Sequence, residues 1–252
     1  MTTSATDILM LGGFPVLRTT ADDLQQKLTQ PLETGQQHVL FFANTNFIVK
    51  CQPLQEAIAD ATTFIVNDGV GVDIATWLIH RQKFHQNLNG TDFIPCYLQS
   101  VKDKARVFLF GAKPGIAERA AQKLRSDFGV NVVGTCDGYQ QNSHKVIADM
   151  NMSGANIILV AMGNPAQENW ILSHRHTLDA YVFIGVGALL DFLAGDKPRA
   201  PQFIQRLRLE WFYRLCLEPT RLIRRYTFDI AIFLALCIRA GKWQKRETLH
   251  RR

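Results

Sequence analysis

Short apolar runs recur along this chain and are separated by stretches with helical spacing. The runs are 39–43, 63–66, 107–110, 131–134, 157–161 and 181–186. The run 39–43 is continuous rather than alternating, as expected for a strand buried on both faces of a parallel sheet, and the others read as further strands. Between them the apolar residues fall at helical spacing, over 51–61, 72–79, 116–128 and 167–174. A further helix begins at Thr20 or Ala21, with Asp22 and Asp23 in its first turn, where carboxylates suit the helix dipole. Ahead of it, residues 8–11 and Val16 are apolar and Gly12, Gly13 and Pro15 provide turns. Strands alternating with helices predict an α/β fold: a Rossmann-like, mostly parallel sheet with helices on both faces.

In such sheets ligands sit outside the carboxyl ends of the strands. Asn44, Asp68, Gly111, Gly163 and Gly187 all fall there. After Pro198 the character changes. Residues 203–217 read as one helix, Pro219 restarts the chain, and 222–240 read as a second helix that stops at Gly241. The remaining basic tail reads as disordered. The expected organisation is a nucleotide-binding domain over 1–198 and a helical basic appendage over 199–252.

Charge sharpens that division. The net charge of +6 is uneven: residues 199–252 carry 13 Lys and Arg against 4 Asp and Glu, whereas residues 1–198 carry 15 against 18. A basic arm on a mildly acidic body fits an anionic partner: nucleic acid, an anionic membrane surface or a phosphorylated ligand. The five cysteines are scattered without a C-x-x-C pair, which argues against a disulfide framework or a zinc site and fits a reducing cytoplasm. The first residues lack a basic region followed by a long apolar stretch, so no signal peptide is expected. The longest apolar run, 230–238, is about half of the roughly 20 residues a membrane span needs.

Asp68 follows a strand and precedes a helix within Val66-Asn67-Asp68-Gly69-Val70-Gly71. A carboxylate there can take a proton from a hydroxyl nucleophile, or it can simply cap the helix. Asn44, Thr45 and Asn46 can contact a ligand or make an ordinary Asn turn. The turn from Gly111 to Gly115 can set backbone N–H groups against a phosphate, although it is not G-x-G-x-x-G. Gly163-Asn164-Pro165-Ala166-Gln167-Glu168-Asn169-Trp170 can be a helix start with Glu in its first turn. Asp191 can hold a ribose or uracil, cap a helix, or pair with Arg199. Arg221 and Arg225 share a helix face with Arg224 adjacent, and Arg214 joins them if two helices pack. Guanidinium forks fit diphosphate oxygens, and the interleaved Trp211, Phe212, Tyr213 and Tyr226 suit a headgroup boundary. The histidines show no ligand spacing, and no metal is expected.

The stretch 185–226 reads GVG at 185–187, DFLAG at 191–195, RAP at 199–201, LEW at 209–211, RL at 214–215, EPTR at 218–221 and RRY at 224–226. This series resembles the C-terminal pattern of the WecG/TagA/CpsF glycosyltransferases. The resemblance extends back to about Thr45 through the Asp68-Gly69-x-Gly71 turn and Gly163-x-Pro165-x-Gln167-Glu168-x-Trp170. It departs from the family at Asn44, where threonine is usual, and at Ala166, where lysine is frequent.

The resemblance implies an inverting transferase with Asp68 as general base. The donor would be a UDP-sugar of the N-acetylmannosamine, N-acetylmannosaminuronic acid, glucose or glucuronic acid type. Donor contacts would come from Asn44, Thr45, Asn46, Asn67, Gly69, Gly111, Gly163, Gln167, Glu168, Gly187 and Asp191. Arg199, Arg214, Arg221, Arg224 and Arg225 would grip the diphosphate of a polyprenyl-linked glycan acceptor at the cytoplasmic face of the plasma membrane. No cofactor is expected, the UDP-sugar being a substrate, and a homo-oligomer is compatible with the reading. Two other classes share parts of the pattern. A nicotinamide-dependent oxidoreductase would need G-x-G-x-x-G, which is missing. A nucleic-acid-binding protein would explain the basic tail, with affinity falling steeply in salt.

Overall fold

The computed structural model describes residues 7–140, 143–206 and 209–250, without the side chains of 143, 202, 206, 214, 221–226 and 241–250. Its frame is one sheet of eight strands: β1 (Ile8–Leu11), β2 (Phe14–Leu17), β3 (His38–Ala43), β4 (Thr63–Asn67), β5 (Val107–Gly111), β6 (Val132–Cys136), β7 (Ile157–Ala161) and β8 (Val182–Gly185). The order across the sheet is β1-β2-β4-β3-β8-β7-β5-β6. Only the β1–β2 pair is antiparallel. Its turn is Gly12-Gly13, both with positive φ, the backbone that two-residue hairpins require. A side chain on Gly12 would also meet Ile48 at 2.4 Å, so packing demands glycine there as well.

The six runs legible in the sequence are the strands β3 to β8, shifted by a residue or two at their ends. Burial on both faces explains the apolar character of β3, β4, β5, β7 and β8, whereas β6 closes the sheet edge and is only partly buried. Leu40 and Phe42 of β3 join one apolar cluster and Val39, Phe41 and Ala43 the other. The first cluster is covered by the helices Ala21–Thr34, Gly90–Ser100, Ile116–Phe128 and Leu189–Leu193. The second is covered by Thr45–Lys50, Val70–His80, Ser143–Met152, Ala166–His174 and the long helix Pro219–His250.

Several elements differ from the pattern reading. The helix expected over 51–61 begins earlier, as Thr45–Lys50, because the side-chain Oδ1 of Asn44 accepts the Phe47 N–H at 3.0 Å and caps it directly at the strand end. A 3-10 turn, Gln52–Leu54, and a short helix, Gln55–Ile58, follow, with Pro53 breaking the run. Helix Gly90–Ser100 carries an internal Pro95 that obscures its periodic Phe93, Ile94, Tyr97 and Leu98. The single helix expected over 203–217 is two, Gln202–Arg206 and Glu210–Leu217. Gly241 does not end the last helix, which continues to His250 through residues that mostly favour helix.

The long helix is anchored to the body. Phe233 and Cys237 point inward, are about 1% exposed and belong to the second cluster, beside the hairpin turn and Ile48. Truncation of Phe233 to Ala should lower stability by about 3–5 kcal/mol, the range for emptying a buried aromatic site. Chemical denaturation measures it, and a loss below about 1 kcal/mol would show that the long helix is not anchored through this residue.

Candidate functional site

The carboxyl ends of the five central strands form one edge of the sheet. In spatial order they carry Asp68 after β4, Asn44 after β3, Gly187 after β8, Gly163 after β7 and Gly111 at the end of β5. Residues dispersed over more than a hundred positions of sequence therefore share one rim.

At one end of this rim Asp68 is half-buried. Its N–H donates to the Ala43 carbonyl at 2.8 Å, continuing the ladder one step past β4. Asn44 Nδ2 donates to Asp68 Oδ2 at 3.2 Å, while Asn44 Oδ1 accepts from Phe47. One asparagine thus caps a helix and orients the carboxylate. Asn67 is fully buried, and its amide donates to Asp73 Oδ1 at 3.1 Å and to the Gln86 carbonyl at 2.9 Å. Those bonds turn its side chain toward the loop leading to Asn87, whose Oδ1 accepts the Gly69 N–H at 2.9 Å. Gly69 itself has φ 92° and ψ 160°, backbone that is essentially restricted to glycine. Gly71 lies so close to Thr45 that a side chain there would meet Thr45 Cγ2 at 2.7 Å.

The centre of the rim is held by a buried carboxylate. Glu168 is fully buried. Its Oε1 accepts from Asn164 Nδ2 at 2.7 Å and from Gln167 Nε2 at 2.8 Å. Gln167 Oε1 in turn accepts the Gly187 N–H at 2.9 Å, and Asn164 Oδ1 accepts from Asn46 Nδ2 at 3.1 Å. The turns after β3, β7 and β8 are therefore joined through one acid. Burial raises the Glu168 pKa, and the two amide donors partly oppose that rise. The thiol of buried Cys51 is pushed upward by its own burial and by the Glu168 charge beside it.

Three glycines of the rim, Gly69, Gly163 and Gly187, have positive φ, and a side chain at any of them would point into open space. Backbone is thus presented bare to the crevice beside Asp68. Gly111 is different: a side chain there would meet the Ala161 carbonyl oxygen at 2.3 Å, so close packing of β5 on β7 accounts for that glycine.

The residues named from sequence separate into groups here. Asp68, Asn44, Thr45, Asn46, Gly69, Gly163, Gln167 and Gly187 gather along the rim. Asn67 and Glu168 lie beneath it, wholly buried. Asp191 sits in Leu189–Leu193, and the cation near it is Lys197 at 3.8 Å. Arg199 does not pair with Asp191: it pairs with Asp92 and approaches Glu210 at 3.8 Å, because Asp92 opens the neighbouring helix Gly90–Ser100. Arg199 also lines an apolar cavity of about 240 Å³ with Pro95, Cys96, Leu189, Phe192 and Leu193. The side chains of Arg214, Arg221, Arg224 and Arg225 lie outside the described residues. Among the described residues no three His, Cys, Asp or Glu side chains are grouped to hold a metal. Asn164 and Asn87 are the residues that sequence reasoning missed. Asn164 stands inside a recognised motif, and its buried-network role had no local sign.

Removal of the Glu168 carboxyl by Glu168→Ala leaves two amide donors unpaired and should cost about 3 kcal/mol. Glu168→Gln keeps one acceptor oxygen and should cost less. Because burial raises this pKa, the folded state holds the proton more tightly than the unfolded chain, and the resulting stabilisation is lost as pH rises through the folded pKa. Glutamine does not titrate, so the melting-temperature gap between Glu168→Gln and the parent should narrow from about pH 5 to about pH 8. A gap that stays constant over this range would contradict the raised pKa.

The comparisons with known proteins bear on this rim. The model of the glycosyl transferase WecG/TagA/CpsF family matches residues 9–247. The chain is 33% identical over 171 residues to an N-acetylglucosaminyldiphosphoundecaprenol N-acetyl-beta-D-mannosaminyltransferase from Bacillus spizizenii, covering 67% of this chain and 66% of that one. It is 34% identical over 166 residues to the protein of the same name from Bacillus subtilis, covering 65% and 64%. The matched stretches span just under two thirds of the length of these relatives. With the family's model matched over nearly the whole chain and its motif residues gathered along one rim, the chain belongs to the glycosyl transferase WecG/TagA/CpsF family.

Proposed function

We propose that the chain transfers a sugar from a UDP-sugar onto a saccharide carried by a polyprenyl diphosphate, with inversion at the anomeric carbon. An N-acetylmannosamine-type donor is the reading favoured by the names of the two relatives, which also specify an N-acetylglucosaminyl-diphosphoundecaprenol acceptor. The observation that carries the proposal is Asp68 held by Asn44 at an open rim of bare glycine backbone.

In this reading the nucleotide and its sugar lie along the rim near Gly69, Gly163 and Gly187, within reach of Thr45, Asn46, Gln167 and Asp191. Asp68 accepts the proton of the acceptor hydroxyl as that oxygen bonds to the anomeric carbon. The bond from that carbon to the UDP oxygen breaks, and UDP leaves with the electron pair. Its negative charge is met by backbone N–H groups and arginines. Glu168 acts beneath the substrate, keeping Asn164 and Gln167 in place. Residues 1–198 form the catalytic unit. Residues 199–252 supply Arg214, Arg221, Arg224 and Arg225 for the acceptor diphosphate.

The acceptor places the reaction at a membrane surface, read here as the cytoplasmic face of the plasma membrane. Among the described residues no helix is long and apolar enough to cross a bilayer. Phe228, Ile232 and Ile238 of the long helix are exposed, and with the basic residues of that helix they suit reversible docking on anionic lipid.

Asp68→Asn should preserve folding and lower turnover about 10²–10⁴-fold, the usual contribution of a positioned general base. The measurement is mass spectrometry of products from a panel of UDP-sugars with a short lipid-diphosphate acceptor. Near-normal turnover by Asp68→Asn removes Asp68 from the mechanism. Absence of transfer from every UDP-sugar by the parent protein rejects the donor class.

A further inference from the structure

Helix Val70–His80 begins two residues after Asp68 and turns Val72, Ala75 and Thr76 into the core. Its opposite face should be polar, as on any surface helix. Instead it carries Ile74, Trp77 and Leu78, which are 51%, 47% and 47% exposed. Three large apolar side chains on one outward helix face indicate a surface that something covers.

Two observations point to the covering medium. The first is position. Of fourteen exposed large apolar side chains among the described residues, three are on this helix and eight lie beyond residue 199. The Val70–His80 helix packs directly against the Pro219–His250 helix, and both pack against β1. Three of those eight, Phe228, Ile232 and Ile238, are on the long helix, so apolar exposure recurs on these two packed helices. The second observation is charge. Arg81 closes the helix with its guanidinium over the Trp77 ring, 5.0 Å from the ring centroid, and exposed Lys83 follows. The chain as a whole carries +6. An apolar patch edged by an aromatic ring and cations matches the boundary between acyl chains and anionic headgroups.

We infer that Ile74, Trp77 and Leu78, with Arg81 and Lys83, form a second contact with an anionic bilayer, beside the one made by the long helix. This rests on the membrane reading above and extends it to the body of the protein. Because this helix starts at the Asp68 turn, docking through it holds the rim at a fixed height beside the membrane. A single flexible arm would leave that height free.

The test is flotation of the full chain with vesicles of equimolar phosphatidylglycerol and phosphatidylcholine. The variant Ile74→Ser, Trp77→Ser, Leu78→Ser changes only half-exposed positions and should lower the partition coefficient at least about tenfold, since membrane affinity follows the apolar area buried. Trp77→Phe with Leu78→Ile keeps the face apolar and should bind like the parent. Arg81→Glu leaves the core untouched. It should weaken binding to these vesicles while leaving any residual binding to pure phosphatidylcholine unchanged. The arm variant Phe228→Ser, Ile232→Ser serves as the reference. If it loses binding while the triple variant and Arg81→Glu bind like the parent, the second contact is wrong and the membrane reading stands. If the parent itself does not float with the vesicles, both are wrong. If the triple variant changes the molar mass measured by light scattering but not the flotation, the face is a contact between copies and the inference is overturned.

Discussion

A single buried carboxylate organises the functional edge of this protein. Glu168 accepts two amide hydrogen bonds at one oxygen, and those amides reach on to Asn46 and to the Gly187 N–H. Polar groups withdrawn from water must find partners, so a network of this kind is stable when its bonds are made and costly when any is missing. The turns after β3, β7 and β8 therefore hold one arrangement together. Without that constraint three loops at the ends of parallel strands would each settle by their own local preferences. Asn44 plays a smaller version of the same part at β3 and β4, since its two amide atoms serve a helix start and the Asp68 carboxylate at once.

Rigidity below the rim contrasts with openness above it. Gly69, Gly163 and Gly187 hold positive φ and face open space, so the backbone of the rim is bare there. Gly12, Gly71 and Gly111 are glycines for the opposite reason, because Ile48, Thr45 and Ala161 fill the space a side chain would need. Residue type alone does not separate these two groups.

The long helix links this edge to the outer surface. Phe233 and Cys237 fasten it into the apolar cluster beneath the second face of the sheet, while Phe228, Ile232 and Ile238 face outward. One side of the helix serves stability and the other remains available for contact. The neighbouring Val70–His80 helix divides its faces in the same way. Both helices thus tie the Asp68 turn to the apolar exterior through packed side chains.

Much of this was already present in the order of residues. Short apolar runs identified the strands β3 to β8, since burial on both faces of the inner ones removes the need for alternation. Motif spacing identified the family, and the placement of Asp68, Asn44, Gly163 and Gly187 after strands put them on one edge, since parallel strands all end on the same side. What the chain's own order did not decide were relations between distant segments. Whether Gln167 would meet a ligand or the Gly187 N–H, whether Arg199 would face Asp191 or Asp92, and why Gly111 differs from Gly163 all depend on which neighbour lies across the fold. Local patterning specifies elements because hydrogen bonding and burial along a strand or helix repeat within a few residues. Partnership across the sheet is settled only when those elements pack and buried polar atoms meet the groups that the fold brings beside them.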